Sequence, residues 1–309
     1  MSNNRKGITL YLLASFMIIM WGSSLISTKY LLLAGLNPSE IYIIRFIIAY
    51  VCLLAFTWRT FGVRSWRDEF IFFLCGLFGG SVYFIGENIA LTLTNTNNVG
   101  LLVSTAPLLT ALIARIFFPE EKITRGVVIG SVIAFIGVGF VMFNSSHAVE
   151  INPLGDILAL AAAAAWAIYS LLLRRVNDHY DIMTLTRKVF FYGIITSLPL
   201  AFTFDNHLTA EIFSDPWVWF NLLLLSIVMS MCCYLIWNKM VEEWGPIVSS
   251  NWIYLQPIVT LIACAIFLNE SISLIGGIGI ALVFIGVVFA GIYDQIRDRH
   301  KASGTPSAG

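Results

Sequence analysis

A helix climbs about 1.5 Å per residue, so roughly 20 apolar residues carry a chain across the roughly 30 Å of a bilayer's hydrocarbon core. Ten apolar stretches of about that length follow one another along these 309 residues, at approximately 8–34, 40–60, 70–94, 97–118, 124–144, 154–175, 181–204, 217–240, 246–268 and 272–293. The links between them are too short to hold a soluble domain. A water-soluble fold of this size must cover its surface with charge, yet only 12% of the residues are charged and 58% are hydrophobic. Ordinary soluble domains run near 25% and 45–50%. The predicted fold class is therefore all-α, a polytopic membrane protein of ten transmembrane helices.

Charge fixes the orientation. Eighteen basic and eighteen acidic residues leave no net charge, which argues against a nucleic-acid partner. Arg5 and Lys6 precede a run that continues past Trp21 without a small-x-small cleavage site, so the first stretch reads as an uncleaved span. Placing the N-terminus in the cytoplasm puts sixteen of the eighteen Lys and Arg in cytoplasmic loops and helix ends, leaving only Lys29 and Arg45. Basic residues are retained on that side. The expected location is the cell (inner) membrane, with both termini cytoplasmic and a disordered tail over residues 296–309.

Sliding the chain against itself by 150 residues aligns Pro107–Gly126 with Pro257–Gly276, matching Pro107 with Pro257, Thr110 with Thr260, Glu120 with Glu270 and Gly126 with Gly276. Asn88 and Asn238 match at the same offset. Slightly shorter offsets place Trp21 on Trp166, Lys29 on Arg174 and Arg45 on Arg187. The chain thus divides into repeats over 1–145 and 146–295 with five helices each. Because five is odd, the second repeat starts on the opposite face of the membrane, and the halves are inverted. In carriers, inverted halves supply two near-equal conformations around a site at the midplane.

These residues resemble a known family, the EamA type of the drug/metabolite transporter superfamily. The resemblance rests on Trp21-Gly22-Ser23-Ser24, Arg45-Phe46, Pro107 followed thirteen residues later by Glu120, Gly126 and Gly137, and the duplicated Pro257, Glu270 and Gly276. It implies a ten-helix carrier whose central cavity is lined mainly by helices 1, 3, 4, 6, 8 and 9. It also implies export of amino acids or other metabolites. Glu87-Asn88 departs from the neutral residues common in relatives.

An intramembrane charge costs roughly 2.5–3.5 kcal/mol on insertion scales, so Lys29, Arg45 and Glu87 each need a reason. Glu87 pairing with Lys29 or Arg45 makes an outer gate. Lys29 and Arg45 have basic counterparts and read equally as groups that tie helix ends. Glu87 falls on Trp237 in the other repeat and is the asymmetric charge, suited to substrate or proton coupling. The rings of Trp21, Tyr83, Trp166, Tyr169 and Tyr254, with Ser24 beside them, are candidate cavity walls. The amides Asn88, Asn238, Asn251 and Gln256 are the first candidates to orient a ligand, because an unpaired amide in lipid is costly. Pro107 and Pro257 interrupt the fourth and ninth helices and mark kinks or hinges. Glu120 and Glu270 precede the fifth and tenth helices and read as caps.

The five cysteines lie inside apolar runs without metal-type spacing, and neither a P-loop nor an HExxH motif is present. A metal, a cofactor or an enzyme activity is therefore not expected. A small-molecule substrate and the bilayer are the expected partners, and a homodimer is compatible with the pattern. A lipid-linked sugar flippase or a channel could use the same repeat.

Overall fold

The structure, a computed structural model, describes residues 2–58, 62–94, 96–119, 121, 123–142, 152–177, 180–201, 209–267 and 272–302. Among these every regular element is helical. The first half holds α1 (Ser2–Leu33), α2 (Pro38–Thr57), α3 (Trp66–Leu93), α4 in two pieces (Thr96–Val103 and Ala106–Phe117) and α5 (Arg125–Met142). The second half holds α6 (Pro153–Asn177), α7 (Ile182–Ala201), α8 (216–244), α9 (246–267) and α10 (Leu274–Ala302). The expected caps Glu120 and Glu270 and the end of the expected tail, 303–309, lie outside the described residues.

Seven helices among the described residues are long and apolar enough to cross a membrane, against the ten that the sequence predicts. The difference has physical causes. One of the seven, Pro216–Ile262, runs 47 residues and contains both α8 and the start of α9. These are separated by a kink at Gly245, whose φ of 79° and ψ of 164° lie in a region open essentially to glycine alone. In α7, Arg187 and Lys188 occupy the second turn and lower its apolarity. α10 adds a shorter apolar helix, Leu274–Ala290, among the described residues.

Local chemistry sets the helix starts. Asn37 and Glu40 form a reciprocal capping box ahead of α2, each side chain accepting from the other's backbone N–H at 2.8 Å. The Ser65 side chain caps α3, which begins at Trp66 rather than at the predicted 70. Asp215 caps α8 by accepting from the Trp217 N–H at 2.9 Å and also accepts from the Tyr30 hydroxyl at 2.6 Å. That hydroxyl, with the Trp217 N–H, holds the Asp215 carboxyl below the usual carboxylate range.

Short links make successive helices alternate in direction. We call the end where α1 starts, with Arg64, Arg67, Arg125 and Arg174, the basic end, and the opposite end the far end. The fifth helix of each half, α5 and α10, pack antiparallel on glycines: Gly130 meets the Gly286 carbonyl and Gly137 the Gly279 carbonyl. A Cβ at Gly137 would lie 2.7 Å from backbone, so the seam admits no side chain there.

α3 and α8 share an irregularity. Each contains a π-helical stretch, Leu77–Val82 in α3 and Leu224–Cys232 in α8, and the first falls wholly inside the second at the 150-residue offset. A π-stretch widens the backbone and releases carbonyls from the regular ladder. Around these two stretches the core is aromatic, with Tyr42, Phe46, Phe84, Trp166, Tyr169, Phe190, Tyr234 and Trp237 all buried.

Candidate functional site

A cavity of about 90 Å³ lies between α1, α3, α4, α6 and α9. Drug-sized ligand pockets run to roughly 300–1,000 Å³, so the space as it stands suits a small solute. Trp21, Gly22 and Ser24 line it from α1, Arg45 from α2, and Tyr83, Phe84 and Glu87 from α3. Val99, Gly100, Val103, Ser104 and Ala106 line it from α4, Met142 from α5 and Trp166 from α6, while Ile253, Gln256, Pro257 and Thr260 do so from α9. No described residue of α8 lines it, although the family resemblance implies one; instead α8 backs the wall with Ser230, Tyr234 and Trp237.

Val99 and Gly100, near the start of α4, and Met142, at the end of α5, carry the cavity to the far end. Aromatic rings cluster toward the basic end. Tyr11 sits 4.9 Å from Trp244 and 6.0 Å from Trp252, and the two tryptophans stack at 5.7 Å with an interplanar angle of 17°. Behind them Trp21, Trp166 and Trp237 meet at 5.1–5.7 Å. The cavity thus extends toward one end, with aromatic packing gathered toward the other.

Arg45 is only 3% exposed. Its Nε donates to Ser230 Oγ at 2.8 Å, and its guanidinium lies 4.5 Å from the Phe84 ring centroid. A charge-assisted hydrogen bond and a cation–π contact therefore hold it in place. Glu87, one turn beyond Tyr83, accepts from the Tyr83 hydroxyl at 3.2 Å. Arg45 and Glu87 thus line one cavity, but among the described residues no ion pair joins Glu87 to either expected partner. The Arg45 side chain is turned to Ser230, and Lys29 is exposed on α1 and does not line the cavity. A guanidinium and a carboxyl facing the same low-dielectric space leave it able to hold a polar or zwitterionic solute.

The amides divide. Gln256 lines the cavity. Asn88, at 2% exposure, donates to the Pro38 carbonyl at 3.2 Å and ties α3 to the start of α2. Asn238 accepts from the Tyr169 hydroxyl and donates to Thr186 Oγ1, both at 2.7 Å, tying α8 to α6 and α7. Asn251 accepts from Ser131 Oγ at 3.0 Å. The cost of an unpaired amide is met here by protein groups. Tyr169 and Tyr254 are fully buried and do not line the cavity.

Backbone breaks shape two walls. α4 is interrupted at Ser104–Thr105 and restarts with Pro107 at its second position. α9 passes through a 3₁₀ turn, Asn251–Leu255, and restarts at Gln256–Pro257. A proline in the first turn gives up an N–H that has no helical acceptor anyway. Gly22 lets α9 approach α1, because a Cβ there would lie 2.7 Å from Val259, and Thr260 donates to the Gly22 carbonyl at 2.8 Å.

Sequence reasoning passed over Ser104 and Ser230, which are single hydroxyls in apolar helices and carry no pattern, and marked Thr260 only as the repeat partner of Thr110. It also passed over the π-stretches, since an inserted backbone residue leaves the apolar run unbroken. Through one of them Trp21 Nε1 donates to the Met229 carbonyl at 2.9 Å.

The sequence profile described as the EamA-like transporter family matches this chain twice, over residues 5–143 and 153–292. An uncharacterized transporter of Archaeoglobus fulgidus is 29% identical, over 96% of this chain and all of its own. A more distant relative, a probable amino-acid metabolite efflux pump of Salmonella typhimurium, is 23% identical over 92% of this chain and 93% of its own. A protein of known crystal structure shares the fold, with a TM-score of 0.73 at 20% identity over 92% of this chain and 97% of that one.

Proposed function

The chain belongs to the EamA-like transporter family, and from that premise we propose that it is a secondary carrier moving small polar metabolites across the membrane by alternating access, in the direction of efflux. It is a multi-pass membrane transporter with a small-molecule substrate. In this reading ten helices cross the bilayer as two inverted halves, residues 1–145 and 146–295, with both termini in the cytoplasm. The antiparallel seam of α5 on α10 supports the inversion, since equivalent helices related by an in-plane two-fold axis must run in opposite directions.

The observation that carries the proposal is the cavity itself. It holds a buried cation, Arg45, and a carboxyl, Glu87, and reaches toward the far end, while the Tyr11, Trp244 and Trp252 rings cluster toward the basic end, and we read this as a site open at the far end alone. A channel needs a path open at both ends at once, whereas a carrier needs a site closed at one end at a time. With the basic end cytoplasmic, the cavity faces outward, the state from which an exporter releases its load. Amino acids and related solutes suit a cavity offering a guanidinium and a carboxyl, and the relative in Salmonella typhimurium, a probable amino-acid metabolite efflux pump, points the same way.

Purified protein in liposomes preloaded with an unlabelled metabolite distinguishes these cases. Saturable accumulation of labelled solute driven by counterflow is the expected outcome. Ohmic current, or uptake linear in concentration, would identify a channel instead.

A further inference from the structure

The two halves place a tryptophan at equivalent positions, Trp21 and Trp166, and a π-stretch at equivalent positions of α3 and α8. Trp21 Nε1 donates to the Met229 carbonyl, in the π-stretch of the opposite half. At the 150-residue offset Met229 corresponds to Gly79, in the other π-stretch, so the symmetric bond would run from Trp166 Nε1 to the Gly79 carbonyl. That bond is not made. Trp166 is 3% exposed and its Nε1 has no hydrogen-bond partner. The Gly79 carbonyl accepts instead from the Tyr234 hydroxyl. Tyr234 corresponds at that offset to Phe84, which has no hydroxyl to offer Met229.

Trp166 and Gly79 share two neighbours, Tyr234 and Tyr169. The Trp166 ring lies 5.7 Å from the Tyr234 ring, and Gly79 packs directly against the ring of Tyr169, one turn along α6 from Trp166. A buried N–H without an acceptor is costly, and nine-tenths or more of buried polar groups find one. A state in which Trp166 takes the Gly79 carbonyl is therefore favoured at that site, just as the present state is favoured at Trp21.

We propose that Trp21 and Trp166 are the two arms of one alternating latch: Trp21 on the Met229 carbonyl holds the cavity open at the far end, and Trp166 on the Gly79 carbonyl holds it open at the basic end. The inference rests on the carrier reading above. Exchanging the shapes of inverted halves turns the first bond into the second, and the π-stretches supply the freed carbonyls on which both are made. Tyr234 breaks the symmetry, since its hydroxyl occupies the Gly79 carbonyl in the far-open state and has no equivalent in the other. It biases the molecule toward the state seen here.

Hydrogen–deuterium exchange of the full-length protein in lipid nanodiscs reads the latch, because the basic-open state would expose residues 244–256 at the basic end. Trp21→Phe should speed exchange there about fivefold, the worth of one hydrogen bond. Trp166→Phe should slow it by a similar factor, while residues 99–106 at the far end respond in the opposite sense. Tyr234→Phe, which releases Gly79 and keeps the ring, should follow Trp21→Phe and serves if either tryptophan variant fails to fold. Shifts of the same sign in both tryptophan variants, as simple loosening of the core would give, overturn the latch, and so does the absence of any shift. Counterflow by the unmodified protein is a separate result: its failure removes the carrier reading, whereas its success beside same-sign shifts removes only the latch.

Discussion

The two ends of the molecule are built from equivalent positions and filled with different side chains. At the far end stand Glu87, Leu102 and Ser104; their equivalents 150 residues on, toward the basic end, are Trp237, Trp252 and Tyr254. Glu87 and Ser104 line the cavity, whereas Trp237 packs into the aromatic core, Trp252 stacks on Trp244, and Tyr254 is buried among Ala134, Val138 and Val283. Arg45 and Arg187 divide in the same way. Arg45 lines the cavity, whereas Arg187 donates to the Thr57 carbonyl at 2.5 Å and to Thr57 Oγ1 at 3.0 Å, holding α7 to the C-terminal end of α2, where a cation is favoured. Equivalent positions in the two halves thus carry different side chains, small or charged on the cavity side and bulky rings on the other.

What the ends share should respond alike. Gly279 lies toward the far end of the α5–α10 seam and Gly286 toward the basic end, and a Cβ at either would press on backbone of α5. Gly279→Val and Gly286→Val should each cost about 3 kcal/mol in thermal or denaturant unfolding. Gly277→Val, where nothing lies within 4 Å, should change stability by less than about 0.5 kcal/mol. A large difference between the two seam variants would break the symmetry on which the comparison stands.

Where the ends differ, function and stability should separate. Arg45→Gln should lower counterflow at least about thirtyfold, the scale of removing a buried charged contact worth about 2 kcal/mol or more. Arg187→Gln should instead lower unfolding stability by about 2 kcal/mol, having lost hydrogen bonds from a charged group, and leave counterflow per folded molecule near that of the parent. Equal transport losses in both would erase the distinction.

Asn238→Ala leaves both the Tyr169 hydroxyl and Thr186 without their partner and should cost about 2 kcal/mol. Asn88→Ala gives up a single 3.2 Å bond and should cost about 1 kcal/mol. Smallest of all is the difference between the helix caps, neutral Ser65 before α3 and charged Asp215 before α8. The Asp215 carboxyl is held below its usual value of 3.8 in the folded protein. Its contribution is therefore present above that value and lost as the pH falls through the lower folded value. Asp215→Asn should flatten this acid-side slope of thermal stability, while Ser65→Ala should leave it unchanged.

The scaffold was legible in the sequence because lipid imposes long apolar runs and because duplicated residues survive at a fixed offset. Trp21, Ser24, Arg45, Tyr83, Glu87, Trp166, Gln256 and Pro257 were singled out beforehand and all line the cavity. The asparagines show where such reasoning stops. Sequence reveals that a buried amide needs partners, but not whether Pro38, Thr186 or a solute supplies them. The π-stretches stayed hidden for a related reason: Leu77–Val82 and Leu224–Cys232 are as apolar as a regular helix, and nothing in the sequence marks the Gly79 and Met229 carbonyls that accept side-chain donors within them.

The central claim is that solute binds between Arg45 and Glu87 at the far-open cavity. Thermal unfolding of the purified protein against a metabolite panel tests it most directly, since a ligand at a hundred times its Kd adds about 2.7 kcal/mol to the folded state. The account predicts that a solute raising the Tm of the parent and of Asn88→Ala will raise neither Arg45→Gln nor Glu87→Gln. A solute that stabilises all four proteins equally would contradict it.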